Sequence, residues 1–209
     1  MRAVETLKTC RIVFCEDTRH TRKLMSHLGI TTPLAGCRGQ NAGRCVPRAI
    51  DFLAQGADIA YVSDAGTPGI SDPGSQLVRA AREAGHGVVP IPGPSAVTSL
   101  ASISGVPGRS WLFEGFLPPK GGRRLKRLAE LADRREPFIL YESPYRIEKL
   151  FQELTSAAAG YQVVLGRELT KLHEQVVVDG VEEVALRLAD GRITRKGEFV
   201  ILVWPGKSR

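Results

Sequence analysis

Two glycine- and proline-rich loops, each expected at the end of an apolar strand, constrain the fold more than any other feature of this chain. The first reads Ser63-Asp64-Ala65-Gly66-Thr67-Pro68-Gly69-Ile70-Ser71-Asp72-Pro73-Gly74 and follows the apolar run 57–62. The second, Ile91-Pro92-Gly93-Pro94-Ser95-Ala96, follows Gly87-Val88-Val89-Pro90. In open α/β sheets, ligands bind beyond the carboxyl ends of the strands, where such loops sit. Glycine lets the backbone approach a ligand closely and take positive φ, while proline fixes the turn. Together the loops point to a cradle for a small molecule, built from main chain rather than from side chains.

The rest of the chain alternates strand-like runs with helical periods, the pattern of an α/β protein. A helix is expected over 2–9, a buried strand over 11–15, and a helix capped by Asp17 or Thr18 that carries Leu24, Met25 and Leu28 and stops at Gly29. Further helices are expected over 46–55, with Ile50, Leu53 and Ala54 on one side, and over 74–84. Pro94 opens another through Val97, Leu100 and Ile103. The turn-rich, aperiodic stretch 104–108 reads as a linker. Beyond it come a strand over 110–117, a basic helix over 121–135 with Leu125, Leu128 and Leu131 inward, and a strand over 137–141. Next is a helix with the stripe Ile147, Leu150, Phe151 and Leu154. Strands at 161–165, 176–178 and 199–203 surround a helix over 181–188. The reading is two α/β domains, 1–108 and 109–209, with a cleft between them.

The chain has 209 residues, enough for either one large domain or two small ones with real cores. No apolar run approaches the roughly 20 residues that span a bilayer, and charges at Arg2, Glu5, Lys8 and Arg11 interrupt any leader-like start. A cytoplasmic protein with no membrane partner is expected. The 29 Lys and Arg outnumber the 22 Asp and Glu, a net charge of +7 that suits either a polyanion or a merely soluble surface. Clustering favours the polyanion: Lys120, Arg123, Arg124, Lys126, Arg127, Arg134 and Arg135 share one segment, and Arg19, Arg22 and Lys23 form a second group. None of the four cysteines makes a C-x-x-C pair, so zinc is not expected and reduced thiols are. The sequence has no dinucleotide-binding G-x-G-x-x-G, P-loop, G-x-S-x-G elbow or H-E-x-x-H, which counts against the chemistries those motifs serve.

Acidic residues remain at the strand ends: Glu16-Asp17, Asp64, Glu142 and Glu168, the last two followed by Arg146 and Lys171. Singly, each reads as a helix cap or an exposed ion pair. Four at comparable strand ends suggest a polar ligand face. His27 and His86 read as solvated or structural, whereas His20 lies at a strand–helix junction among basic residues.

The blocks 16–24, 63–74 and 91–96 resemble the tetrapyrrole methylase superfamily. Phe113-Glu114-Gly115-Phe116-Leu117-Pro118, Tyr141-Glu142-Ser143-Pro144-Tyr145-Arg146 and the run 166–171 narrow the resemblance to members that methylate small-subunit ribosomal RNA. The resemblance implies S-adenosyl-L-methionine as methyl donor, the ribose 2′-hydroxyl of a cytidine as acceptor, and a homodimer of two-domain protomers that hold the cofactor between domains. It assigns cofactor contacts to Ser71, Asp72, Pro73 and Gly74 and to Pro92, Gly93, Pro94 and Ser95. Asp64, Glu142 and Glu168 become candidates for catalysis, with the proton acceptor left open among carboxylate and solvent. Arg19, His20, Arg22, Lys23, Arg123, Arg124, Arg127, Arg146 and Lys171 become candidates for holding ribosomal RNA.

The chain departs from the resemblance in two places. Members open with a strand and a Thr-Pro-Ile-Gly-Asn-type loop before the helix that here begins at Arg2, and its lack is expected to leave a sheet edge unpaired. At Cys37-Arg38-Gly39-Gln40-Asn41-Ala42 only Asn41 matches. Weakened activity, a non-catalytic RNA-binding role and methylation of a tetrapyrrole or other small molecule are the alternatives.

Overall fold

The structure, a computed structural model, describes residues 1–70, 74–106 and 110–206. The chain divides into two compact units, Met1–Pro94 and Ser95–Arg209. This division precedes the linker expected at 104–108, because helix 96–104 packs Val97 and Leu100 against the second unit's sheet.

The first unit runs α1 (Arg2–Thr9), β1 (Ile12–Cys15), α2 (Thr18–His27), β2 (Leu34–Gly36), a 3-10 turn (Gly39–Asn41), α3 (Ala42–Ala54), β3 (Ile59–Val62) and α4 (Gly74–Glu83). Its sheet is parallel in the order β2-β1-β3, with Val13 beside both Leu34 and Ala60. A central parallel strand is covered on both faces, and all of β1 is buried. Ile12 and Phe14 pack toward Cys45, Ala49 and Leu77, whereas Val13 packs toward Leu7, Met25 and Ile30. The inward face of α3 carries Ala42, Cys45 and Ala49, not the expected Ile50, Leu53 and Ala54. Leu24 of α2 is likewise exposed.

The run 87–90, expected as a strand, has no strand pairing, and Val88 and Val89 are exposed. Among the described residues β3 is an edge of the sheet. Two apolar side chains do not make a strand without a neighbour to bond.

The cysteines also depart from expectation. Cys37 and Cys45 form a disulfide between the end of β2 and the first turn of α3, with Cα atoms 5.4 Å apart, well within bridging range. Cys10 and Cys15 are free and buried, and burial pushes both thiols above their usual pKa.

The second unit runs α5 (Ala96–Ser104), β4 (Leu112–Phe116), α6 (Gly121–Asp133), β5 (Phe138–Glu142), α7 (Ile147–Ala157), β6 (Gln162–Arg167), β7 (Gln175–Gly180), α8 (Val181–Ala189) and β8 (Phe199–Trp204). The sheet order is β4-β5-β8-β6-β7. Strand β4 is parallel to β5, while β5 and β6 are both antiparallel to β8. The carboxyl ends of β4, β5 and β6 therefore share one edge. One face packs Phe138 and Leu140 against Leu128, Leu131, Leu150, Leu154 and Val184 of α6–α8. The other packs Ile139, Val164 and Leu202 against α5. Gly166 of β6 admits that helix: a Cβ there would lie 2.9 Å from Leu100 Cδ1.

Candidate methyltransferase site

In the first unit the ends of β1 and β3 are adjacent, Cys15 standing beside Val62. The next residues exchange carboxylate–amide bonds. The Asp17 N–H donates to Asp64 Oδ1 (3.1 Å), and the Asp64 N–H donates to Glu16 Oε2 (2.8 Å). Asp64 is thus exposed, with one oxygen committed to holding two loop entrances together. Asp17 caps α2 by accepting from the Arg19 N–H at 2.8 Å. It also binds the Arg19 guanidinium and, at 2.7 Å, Arg38 Nη2. These bonds, the Arg19 side chain first, hold its carboxyl well below the usual aspartate range. Arg38 also donates to the Glu16 carbonyl at 2.6 Å, and Asn41 closes the turn by accepting from the Arg38 N–H. No sequence pattern announces the Arg38 contact, which joins segments 21 residues apart.

Arg19, His20 and Lys23 line, with Asp17, a depression of about 350 Å³. Arg22 points to a different one, of about 490 Å³, beside Met25, Ile30 and Pro33.

The two glycine- and proline-rich loops meet within the first unit. Thr67 Oγ1 donates to the Pro94 carbonyl at 3.4 Å, and Ser63 Oγ donates to the Gly66 carbonyl at 3.1 Å. Gly66 takes φ +71°, where other residues are strained. A Cβ on Gly93 would meet nothing within 4 Å, so residues 92–94 present exposed main chain to open space. Ser71, Asp72 and Pro73 lie outside the described residues; Gly74 is buried at the start of α4. Ser95 caps α5 without a side-chain bond to that helix, so the helix's partial positive end is not neutralised by its own cap.

In the second unit, alternation along β5 puts Glu142 on the α6–α7 face, and its side chain is sealed from solvent. Its Oε1 accepts from the Ser143 N–H (2.7 Å) and from Arg146 Nε (2.7 Å) and Nη2 (2.6 Å). Its Oε2 is buried without a hydrogen-bond partner. Glu168, at φ +49°, accepts from the Glu198 N–H (2.8 Å) and Lys171 Nζ (3.0 Å). The Glu198 amide and then Lys171 lower its pKa. Lys171 also pairs with Glu198 at 2.9 Å. Its desolvation is outweighed by these two acids, and its pKa rises.

The basic helix needs a correction. Arg124 is only 2% exposed and forms a two-pronged bond to Glu153 of α7, at 2.5 and 2.6 Å. It belongs to the interior and is not placed to meet a phosphate. The helix turns Arg124, Leu128, Leu131 and Ala132 inward, leaving Leu125 exposed. Arg127 is held by Glu114 and Glu130, whereas Arg123 is exposed. Among the described residues no cluster of three or more His, Cys, Asp and Glu could hold a metal ion, and no helix is long and apolar enough to cross a membrane.

The family model for tetrapyrrole (corrin/porphyrin) methylases matches residues 1–185, the greater part of both units. The chain belongs to this family. Among the family's members, this chain is similar to a Borrelia garinii subsp. bavariensis protein named ribosomal RNA small subunit methyltransferase I. The two are 42% identical over 202 residues, which is 97% of this chain and 90% of the relative. A Xylella fastidiosa (strain Temecula1) protein of the same name is 44% identical over 203 residues, covering 97% and 74% of the two chains. Among solved structures, cobalt precorrin-4 methyltransferase matches 98% of this chain and 87% of its own with a TM-score of 0.68 at 19% identity. The methyltransferase CobJ matches 100% and 88% with the same score at 18% identity. At that identity these two establish the fold alone.

Proposed function

We propose that the protein is an S-adenosyl-L-methionine-dependent methyltransferase of small-subunit ribosomal RNA that acts on the ribose 2′-hydroxyl of a cytidine. What carries this reading is identity above 40%, across both units, with relatives named for that RNA. The net charge of +7 and the exposed Arg19, Lys23 and Arg123 fit a polyanionic substrate.

The residues present fit the cofactor. Bare main chain at residues 92–94 and the left-handed Gly66 allow close backbone approach, and the helix beginning after Ser95 offers N–H donors to a carboxylate. Gly74 and residues 92–95 would hold it, and when bound it supplies a methyl group on a sulfonium. The chain's part is alignment, since transfer needs the acceptor oxygen in line with the sulfur–methyl bond.

Of the three candidate carboxylates, Asp64 is exposed and would receive the hydroxyl proton, directly or through water. Glu142 is sealed and Glu168 is bound to the Glu198 amide, so both would act by positioning Arg146 and Lys171. The acceptor RNA places the work in the cytoplasm, and the resemblance implies a homodimer.

The test is incubation of unmethylated small subunits with the chain and methyl-labelled cofactor, followed by nucleoside mass spectrometry. Label in 2′-O-methylcytidine supports the reading. Label only in a tetrapyrrole, or none, overturns it.

A further inference from the structure

The shared edge at the carboxyl ends of β4, β5 and β6 carries large side chains that are exposed wholly or in part. Tyr145, in the turn between β5 and α7, is 95% exposed. Phe116, at the end of β4, is 51% exposed and lies 5.5 Å from the Tyr141 ring, centroid to centroid. Leu172, in the turn between β6 and β7, is 93% exposed. Fixed cations alternate with these groups. Arg146, next to Tyr145, has Nε and Nη2 fastened to Glu142 Oε1. Lys171, next to Leu172, is fastened to Glu168 and Glu198.

We propose that this edge is a platform for single-stranded RNA, with an unpaired base stacked on Tyr145 and the adjoining phosphate on Arg146. The inference rests on the RNA reading above and adds that the acceptor strand is presented unpaired. Aromatic rings bind bases through their faces, which a duplex keeps stacked, and neighbouring cations track the backbone. Arg146 suits the phosphate because its bonds to Glu142 fix the guanidinium in place before the strand arrives. The net charge of +7 favours a polyanion over another basic surface as the occupant of this edge.

The test is fluorescence anisotropy of the full chain with a short labelled oligoribonucleotide, single-stranded or annealed to its complement. Tyr145→Ala and Tyr145→Leu should each weaken single-strand binding by roughly fivefold or more, the range expected for one stacked base. Duplex binding should be unchanged, and Tyr145→Phe should bind single strands as the wild type does. An exposed ring contributes little to folding, so unfolding midpoints should match. Three results would overturn the proposal: Tyr145→Ala binding single strands normally, a wild type that prefers duplex, or a dimer that dissociates on Tyr145→Ala. The last would assign the edge to contacts between copies. A wild type that binds neither form overturns the platform, while the RNA reading stands or falls separately on the labelling of small subunits.

Discussion

Arg124 is the residue whose sequence context and structural role diverge most, and replacing it separates the two. In the sequence it stands in a basic segment suited to phosphate; in the structure its guanidinium is buried on Glu153, itself only 11% exposed. It also lies close enough to Glu142 for that carboxylate to support its charge. Arg124→Met therefore leaves one buried carboxylate unpaired and withdraws a cation from another. Breaking a buried pair from one side costs about 3–5 kcal/mol, whereas replacing both partners with apolar residues of similar size is often neutral. With a urea slope of roughly 2 kcal/mol per molar, the single variant should unfold about 2 M earlier. Arg124→Met combined with Glu153→Leu should recover most of that loss.

Both tryptophans, Trp111 and Trp204, lie in the second unit, so their fluorescence reports its unfolding whatever the first unit does. This matters because two units need not unfold as one transition. RNA affinity of the double variant should equal that of the wild type. The reasoning fails if Arg124→Met loses RNA binding with an unmoved fluorescence midpoint, or if the double variant is no more stable than the single.

Gly197→Ala should destabilise the second unit by about 2 kcal/mol or more: a Cβ would lie 2.5 Å from Glu168 Cγ at φ +107°. An unchanged melting temperature would show that Glu168 can move aside. Glu168 has a folded pKa below its ordinary 4.5, so its stabilising contribution is complete above that pH and is lost as pH falls through the folded value. The stability gap between wild type and Glu168→Gln should thus be full at pH 7 and shrink progressively below pH 4.5; a gap independent of pH would contradict this. Reduction of Cys37–Cys45, which are 8 residues apart, should cost about 2.5 kcal/mol from the loop-closure relation. Peptide mapping without reductant should find that bridge, and four titratable thiols in the untreated, unfolded protein would rule it out.

The alternation of strands and helices was legible because strands buried on both faces read as nearly continuous apolar runs, as in Ile12–Cys15 and Phe138–Glu142. The sequence pattern failed where pairing rather than composition decides. Leu34–Gly36 is a short strand that forms because β1 offers it a neighbour, while 87–90 has the apolar residues and no pairing partner. In the basic helix, inward stripes through either Arg124 or Leu125 satisfy the helical period. The choice turns on Glu153, a residue 29 positions away whose significance appears only in three dimensions. The disulfide was illegible for the same reason, since its two cysteines show no recognisable spacing.

The strand-end acids illustrate the limit in the site itself. Their positions were readable and their employment was not. Asp17, Asp64, Glu142 and Glu168 each have at least one carboxylate oxygen bonded to a main-chain amide. Asp17, Glu142 and Glu168, so engaged, shape loops and orient cations rather than carry protons, and only Asp64 among the four is exposed. Such an arrangement suits the proposed reaction, in which an oxygen nucleophile would have to meet a methyl group in line and alignment would set the rate. In the first unit, carboxylate–amide bonds fix the loop entrances and leave glycine-bearing main chain exposed; in the second, Glu142 holds Arg146 in one orientation. For the proposed reaction, such fixed surfaces would select by shape and phosphate position, as choosing one ribose hydroxyl among many chemically identical ones would require.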